Sequence, residues 1–187
     1  MGKILAFGAS NSSTSINKRL ATYTASLFTE FETTVVDLND YELPLFSVDL
    51  EKEIGHHENA VKFSKLIEES DGLIISLAEY NSNVTSAFKN LEDWVSRLDG
   101  PTWKGKKVFL LSTSNGKRGG KSAMEVSLKI MPFRGGDVRA HFSLPQFREN
   151  FHDTEGILDG ELRIAFLEQV DIFRQALKSD TELAPEL

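Results

Sequence analysis

The sequence predicts an α/β domain, a parallel sheet of five strands with helices on both faces. Short apolar runs alternate with longer stretches whose apolar residues recur at helical spacing, the pattern of repeated strand–helix units. Leu73–Leu77, bounded by Asp71-Gly72 and Glu79, is apolar almost without alternation, as a strand buried on both faces is. Polar, small-residue loops follow the first, third and fourth of these strands, and ligands of open α/β sheets sit at such carboxyl ends.

Lys3–Phe7 is the first strand, and Gly8–Ser15 is a hydroxyl-rich loop leading into a helix marked by Ile16, Leu20, Leu27 and Phe31. Ser15 is the expected N-cap, because its hydroxyl can accept an orphan amide hydrogen. Strand, loop and helix start together make an anion cradle of free amides at a positive dipole end. Thr33–Leu38 is the second strand, and residues 40–54 form a connection around Pro44. A helix begins at His56-His57 and carries Ala60, Val61, Phe63, Leu66 and Ile67. After the third strand, Ala78–Thr85 is a loop. Ala87, Leu91, Trp94, Val95 and Leu98 then mark one helical face. Pro101–Gly105 is a turn, Lys107–Ser112 the fourth strand and Thr113–Gly120 a glycine-containing loop. Lys121–Phe133 is helical, Val138–Phe142 is the fifth strand, and residues 144–160 are irregular. A last helix over Glu161–Lys178 buries Leu162, Phe166, Val170, Phe173 and Leu177. Residues 1–178 are expected to be one domain and 179–187 a flexible tail.

A chain of 187 residues with no cysteine has no disulfide framework, thiolate nucleophile or cysteine-based metal site. The histidines lack zinc-ligand spacing, so no metal is expected. A formal charge of −7 with scattered basic residues argues against nucleic acid. No apolar run is long enough to cross a bilayer and Met1-Gly2-Lys3 leads straight into a strand, so no membrane association is expected and a cytoplasmic protein is. No catalytic triad or carboxylate pair of raised pKa is evident.

Glu79-Tyr80-Asn81, Lys89-Asn90, Asp93-Trp94 and Ser96-Arg97 resemble the signature of the NADPH-dependent FMN reductases, which reads P-E-Y-N-x-S-x-P-x-x-L-K-N-x-I-D-W-x-S-R. Ala78 and Thr85 replace its prolines, Asn83 its serine and Phe88 its leucine. Ala9–Asn17 lies on that family's G-S-x-R-x-x-S-x-N: Ser10, Ser15 and Asn17 match, Ala9 replaces the glycine, and Ser12 replaces an arginine that would be a bidentate phosphate partner.

The resemblance implies a flavodoxin-like three-layer sandwich with strand order 2-1-3-4-5, which makes the three loops neighbours. It implies an FMN phosphate on Ser10, Ser12, Ser15, Ile16 and Asn17. It places the ring against Glu79, Tyr80, Asn81 and Ser82, with Ser114, Asn115, Gly116 and Gly119 in the glycine loop, where glycine lets backbone approach a flat ring. No side chain is expected to be catalytic, since flavin N5 carries the hydride chemistry. NADPH or NADH is the expected co-substrate, and a flavin, quinone, azo compound or metal oxyanion the second acceptor. A homodimer or tetramer is implied, with Trp94-x-Ser96-Arg97 near the contact. The alternatives are a flavodoxin-type electron carrier, whose T-x-T-G-x-T loop is absent, and a nucleotide module using Lys121-Ser122 in a loop close to G-x-x-x-x-G-K-[ST].

Overall fold

A computed structural model describes residues 1–181. Its main sheet contains β1 (Lys3–Ala9), β2 (Glu32–Val36), β3 (Gly72–Leu77), β6 (Lys107–Thr113) and β7 (Asp137–Leu144), all parallel, in the order β2-β1-β3-β6-β7. This is the expected 2-1-3-4-5. The intervening numbers belong to a short antiparallel hairpin, β4 (Glu79–Tyr80) and β5 (Asn83–Val84), in the stretch expected to be a loop. A second hairpin, β8 (Phe151–His152) and β9 (Gly156–Ile157), stands in the stretch expected to be irregular.

The helices are α1 (Ile16–Ser26), α2 (Val48–Ile54), α3 (Glu58–Glu68), α4 (Ser86–Val95), α5 (Lys121–Ile130), α6 (Phe147–Asn150) and α7 (Gly160–Thr181). Side-chain alternation along the strands divides the core. Leu5, Phe7, Leu73, Ile75, Val108 and Leu110 pack under α3, α4 and α5. Ile4, Ala6, Ile74, Phe109 and Leu111 pack under α1 and α7. Every residue of β3 and β6 is buried, whereas β2 is an edge strand with Val35 exposed.

Several boundaries differ for local reasons. α1 ends at Ser26, so Phe31 precedes β2 outside the helix, and Phe28 is fully buried where Leu27 is only partly so. In α3 Val61 is exposed, and in α4 Phe88 takes the buried place expected for Ala87. The fifth α-helix stops at Ile130 because Pro132 lacks an N–H. The chain tightens into a 3₁₀ turn, Met131–Arg134, that leaves Phe133 86% exposed. In the 40–54 connection, Ser47 caps an unforeseen α2 by accepting from the Leu50 amide. α7 runs through Thr181, past the expected start of the tail, and residues 182–187 lie outside the described part.

Candidate functional site

Ala9, Leu77 and Ser112 stand in register on β1, β3 and β6. The cradle loop, the β4–β5 hairpin and the glycine loop therefore leave one edge of the sheet side by side. Gly8 makes the first turn possible: a Cβ there would lie 2.3 Å from the Lys18 nitrogen in the α1 backbone. The close approach of helix to strand needs a residue without a side chain.

Three helices begin at this edge, and their N-termini differ. α4 is capped by Thr85, whose Oγ accepts from the Phe88 amide and donates to the Ala9 carbonyl at 3.0 Å. Thr85 thus replaces the signature proline with a bond between β1 and α4. α5 has Gly120 at its N-cap position and no cap of its own. Glu79 supplies one from 44 residues upstream, its Oε2 accepting from the Ala123 amide at 3.0 Å. Glu79 was expected at a cofactor ring; here its carboxylate locks the hairpin to α5. It also fills the helix N-terminus that a triphosphate on Lys121-Ser122 would need, and Ser122 accepts from Arg118, so the nucleotide-module reading fails.

α1 is different. Ser15 is its N-cap, accepting from the Lys18 amide at 3.1 Å, and Ser10 Oγ accepts from the Ser12 amide. The amides of Ser13, Thr14, Ile16 and Asn17 make no hydrogen bond among the described residues, and no carboxylate caps this end. The hydroxyls of Ser12, Ser13 and Thr14 are equally uncommitted among those residues. This donor set fits a phosphate. The nearby cations are engaged elsewhere: Lys18 with Asp37 at 2.6 Å, and Arg19 bidentate on Asp153 while lying over the Phe147 ring. Burial pushes the Asp37 carboxyl up, but hydrogen bonds from Lys18 and Asn39 outweigh it and hold the group below its usual range.

Asn17, expected to touch a ligand through its side chain, turns into the core. Its Oδ1 accepts from Ser76 Oγ at 2.8 Å and from the Thr113 amide at 3.1 Å, and its Nδ2 donates to the Thr113 carbonyl. It ties the helix that follows the cradle loop to the ends of β3 and β6, where the other two loops begin. Asn17→Ala is expected to strand buried groups of Ser76 and Thr113 at roughly 1–3 kcal/mol each, lowering stability by about 3 kcal/mol in a urea titration. A loss below about 1 kcal/mol would show that the tie carries no weight.

The hairpin tip holds Asn81 and Ser82 at φ 52° and 61°. Two left-handed residues make the tight turn whose twist matches the strands, an ordinary conformation for Asn and a strained one for Ser. Tyr80 is 55% exposed and faces a groove on the α4–α5 side. In the glycine loop, Ser114 Oγ accepts from the Gly116 amide, and the carbonyls of Ser114 and Gly116 accept from Phe147 and Gln146. Asn115 and Gly116 are exposed. At Gly119 a Cβ would lie 2.7 Å from the Leu144 carbonyl, so its missing side chain lets the loop pack on the end of β7.

The second half of the signature is scaffold. Asn90 Oδ1 accepts from the Phe46 amide while its Nδ2 donates to the Leu43 and Pro44 carbonyls, and buried Trp94 donates to Pro44. Arg97 pairs with Glu51 and Ser96 donates to the Asp93 carbonyl. Trp94 and Arg97, expected with Ser96 near a subunit contact, instead join Asn90 in holding the 43–51 segment of their own chain.

Sequence reasoning missed Glu92. Burial pushes its carboxyl up to about 7, against the nearby charges of Arg134 and Lys89, and with a contribution from Asp93 in the direction of burial. Glu92 occupies the signature's isoleucine position, and nothing local announces its neighbour Arg134, 42 positions on by numbering. Among the described residues no group of three His, Asp or Glu side chains converges as a metal site, and no helix is long and apolar enough to cross a membrane.

Residues 2–149 match the family model of the NADPH-dependent FMN reductases. A 2-hydroxy-1,4-benzoquinone reductase from a Burkholderia species is 38% identical over 107 residues, 56% of each chain. A quinone reductase of Escherichia coli is 34% identical over 92 residues, 49% of each. The matches thus span about half the length of these curated relatives. A solved flavoenzyme NAD(P)H:(acceptor) oxidoreductase from Paracoccus denitrificans superposes with a TM-score of 0.77 at 23% identity, over 96% of this chain and 98% of that one, which establishes the flavodoxin-like fold. With the signature, the cradle and the model match agreeing, the chain belongs to the NADPH-dependent FMN reductase family.

Proposed function

We propose that this protein is an NAD(P)H-dependent flavin oxidoreductase that holds FMN across the three loops at the carboxyl edge of its sheet. The observation that carries the reading is the donor set before α1. Ser15 and Thr85 cap α1 and α4 alike, but the loop before α1 adds the unpaired amides of Ser13 and Thr14 and the hydroxyls of Ser12, Ser13 and Thr14 to those of Ile16 and Asn17, while the α5 N-terminus already holds the Glu79 carboxylate. An anionic end fits there, held by Ser10, Ser12, Ser15 and the amides of Ile16 and Asn17. A flat, hydrogen-bonding end fits between Tyr80-Asn81-Ser82 and Ser114-Asn115-Gly116. When bound, FMN supplies the hydride chemistry, taking reducing equivalents from a nicotinamide and passing them to a second acceptor. The chain's part is to bind, orient and shield. Quinones lead among the acceptors because both curated relatives named above are quinone reductases, with flavins, azo compounds and metal oxyanions as alternatives. Assembly as a homodimer or tetramer belongs to the same reading, supported by exposed Phe133.

The test is a titration of apoprotein with FMN and with riboflavin. FMN should bind far more tightly, because charge-assisted hydrogen bonds of about 1.5–3 kcal/mol each form only when the phosphate is present. Anaerobic NAD(P)H should then bleach the bound flavin, and a quinone should restore the colour. Equal affinity for riboflavin would remove the cradle from the account. Full FMN occupancy without bleaching by either nicotinamide would favour a flavodoxin-type carrier.

A further inference from the structure

The groove between α4 and α5 shares Tyr80 and Asn81 with that reading, and the rest of its lining takes no part in it. It encloses about 550 Å³, within the range of small-molecule pockets. Val84, Val126 and Met131 give it apolar walls, with Tyr80 beside them. Its charged groups are Lys89, Glu92 and Arg134. Lys89 is paired with Asp93 one helical turn along, so the two nearly cancel. Arg134 is half-buried, and its guanidinium makes no hydrogen bond or ion pair among the described residues. Such a group is always charged and presents a planar fork of donors suited to a carboxylate. Glu92 is too poorly hydrated to stay fully ionised at neutral pH. Beside it Trp103 is 1% exposed, and its indole N–H acts on the Glu92 carboxyl in the direction that favours ionisation, against the larger effect of burial. The site therefore carries a net positive balance, apolar walls and, in the Arg134 guanidinium, spare hydrogen-bond donors. Where the family signature has isoleucine, this chain has a carboxyl that lines the groove.

We propose that the α4–α5 groove binds a planar organic anion of the aromatic carboxylate class, its carboxylate on Arg134 beside Glu92 and its ring against Val84, Val126 and Met131. A neutral ring would gain only the walls. A cation would meet Arg134 and Lys89. As pH rises Glu92 ionises and competes for Arg134, so the anion is released. The titratable groups facing the groove are Tyr80, Lys89, Glu92 and Arg134, with Asp93 behind Lys89. The proposal stands apart from the flavin reading, although the hairpin borders both sites.

The experiment is calorimetric titration of FMN-saturated protein with naphthoate and with neutral naphthamide, alongside Trp fluorescence. Naphthoate should bind once per chain and about tenfold more tightly than naphthamide, a difference of about 1.4 kcal/mol. Arg134→Gln should erase that preference, and Glu92→Gln should retain binding while flattening its fall with rising pH. Ile130→Trp, at a 43% exposed position on the rim, should block both ligands without disturbing the core. Circular dichroism and FMN loading confirm that each variant is folded. Equal affinity for the two ligands, an unchanged Arg134→Gln variant, no saturable binding, or displacement of naphthoate by FMN would each overturn the proposal. Should the wild-type protein take up no FMN, the same titrations on the protein as purified still read the groove, and only the flavin reading falls.

Discussion

Ser15→Asp is expected to abolish FMN binding in a protein that remains folded, while Ser15→Ala only weakens it. Ser15 caps α1 by accepting from the Lys18 amide and lies among the donors of the cradle. Alanine removes one hydroxyl and one cap, about 0.5–2 kcal/mol of fold stability from the cap alone. Aspartate is itself a good cap, so the helix survives. Its carboxylate would face the phosphate, and Lys18 cannot neutralise it, being committed to Asp37. At ~4 Å and an effective dielectric near 20, each unit-charge repulsion is about 4 kcal/mol. That is roughly a thousandfold in affinity for a single unit of charge. Fluorescence titration with FMN, run beside thermal unfolding, separates the two effects. A folded Ser15→Asp protein that binds FMN normally would move the phosphate away from α1.

Gly8→Ala should do comparable damage to the fold itself. The added methyl would meet Lys18 N at 2.3 Å, Lys18 Cα at 2.7 Å and Asn17 C at 2.8 Å. All three are backbone, so no side chain can swing aside and α1 must move as a body. Overpacking commonly costs about 1–3 kcal/mol and occasionally more; with backbone on both sides we expect the upper end or beyond. For a domain of this size ~3 kcal/mol lowers Tm by roughly 6–12 °C. The displaced helix carries the cradle, so FMN affinity should fall with it. Gly116→Ala is the control, since its Cβ would find only Ser114 Oγ, at 3.6 Å. Calorimetry showing Gly8→Ala and Gly116→Ala equally stable would mean that α1 does not pack as closely as described.

By itself the sequence determined the sheet, most of its helices and the three loops of the site. Those features rest on short-range patterns: apolar runs such as Leu73–Leu77, helical spacing such as Phe166-Val170-Phe173-Leu177, and Ser15 before Ile16. Residues a few positions apart generate them, so a linear reading recovers them. Two short hairpins and the helix capped by Ser47 escaped it, because brief elements carry too few residues for a period to show. The family signature located the site by resemblance but not the work of each side chain. Glu79 caps a helix 44 residues away, Asn17 is satisfied by Thr113 at a separation of 96, and Asn90 and Trp94 hold Pro44. Glu92 owes its raised pKa to burial beneath neighbours drawn from other parts of the chain. Only the tertiary structure decides such matters, because hydrogen-bond satisfaction and desolvation depend on what folding brings within a few ångströms, irrespective of separation along the chain.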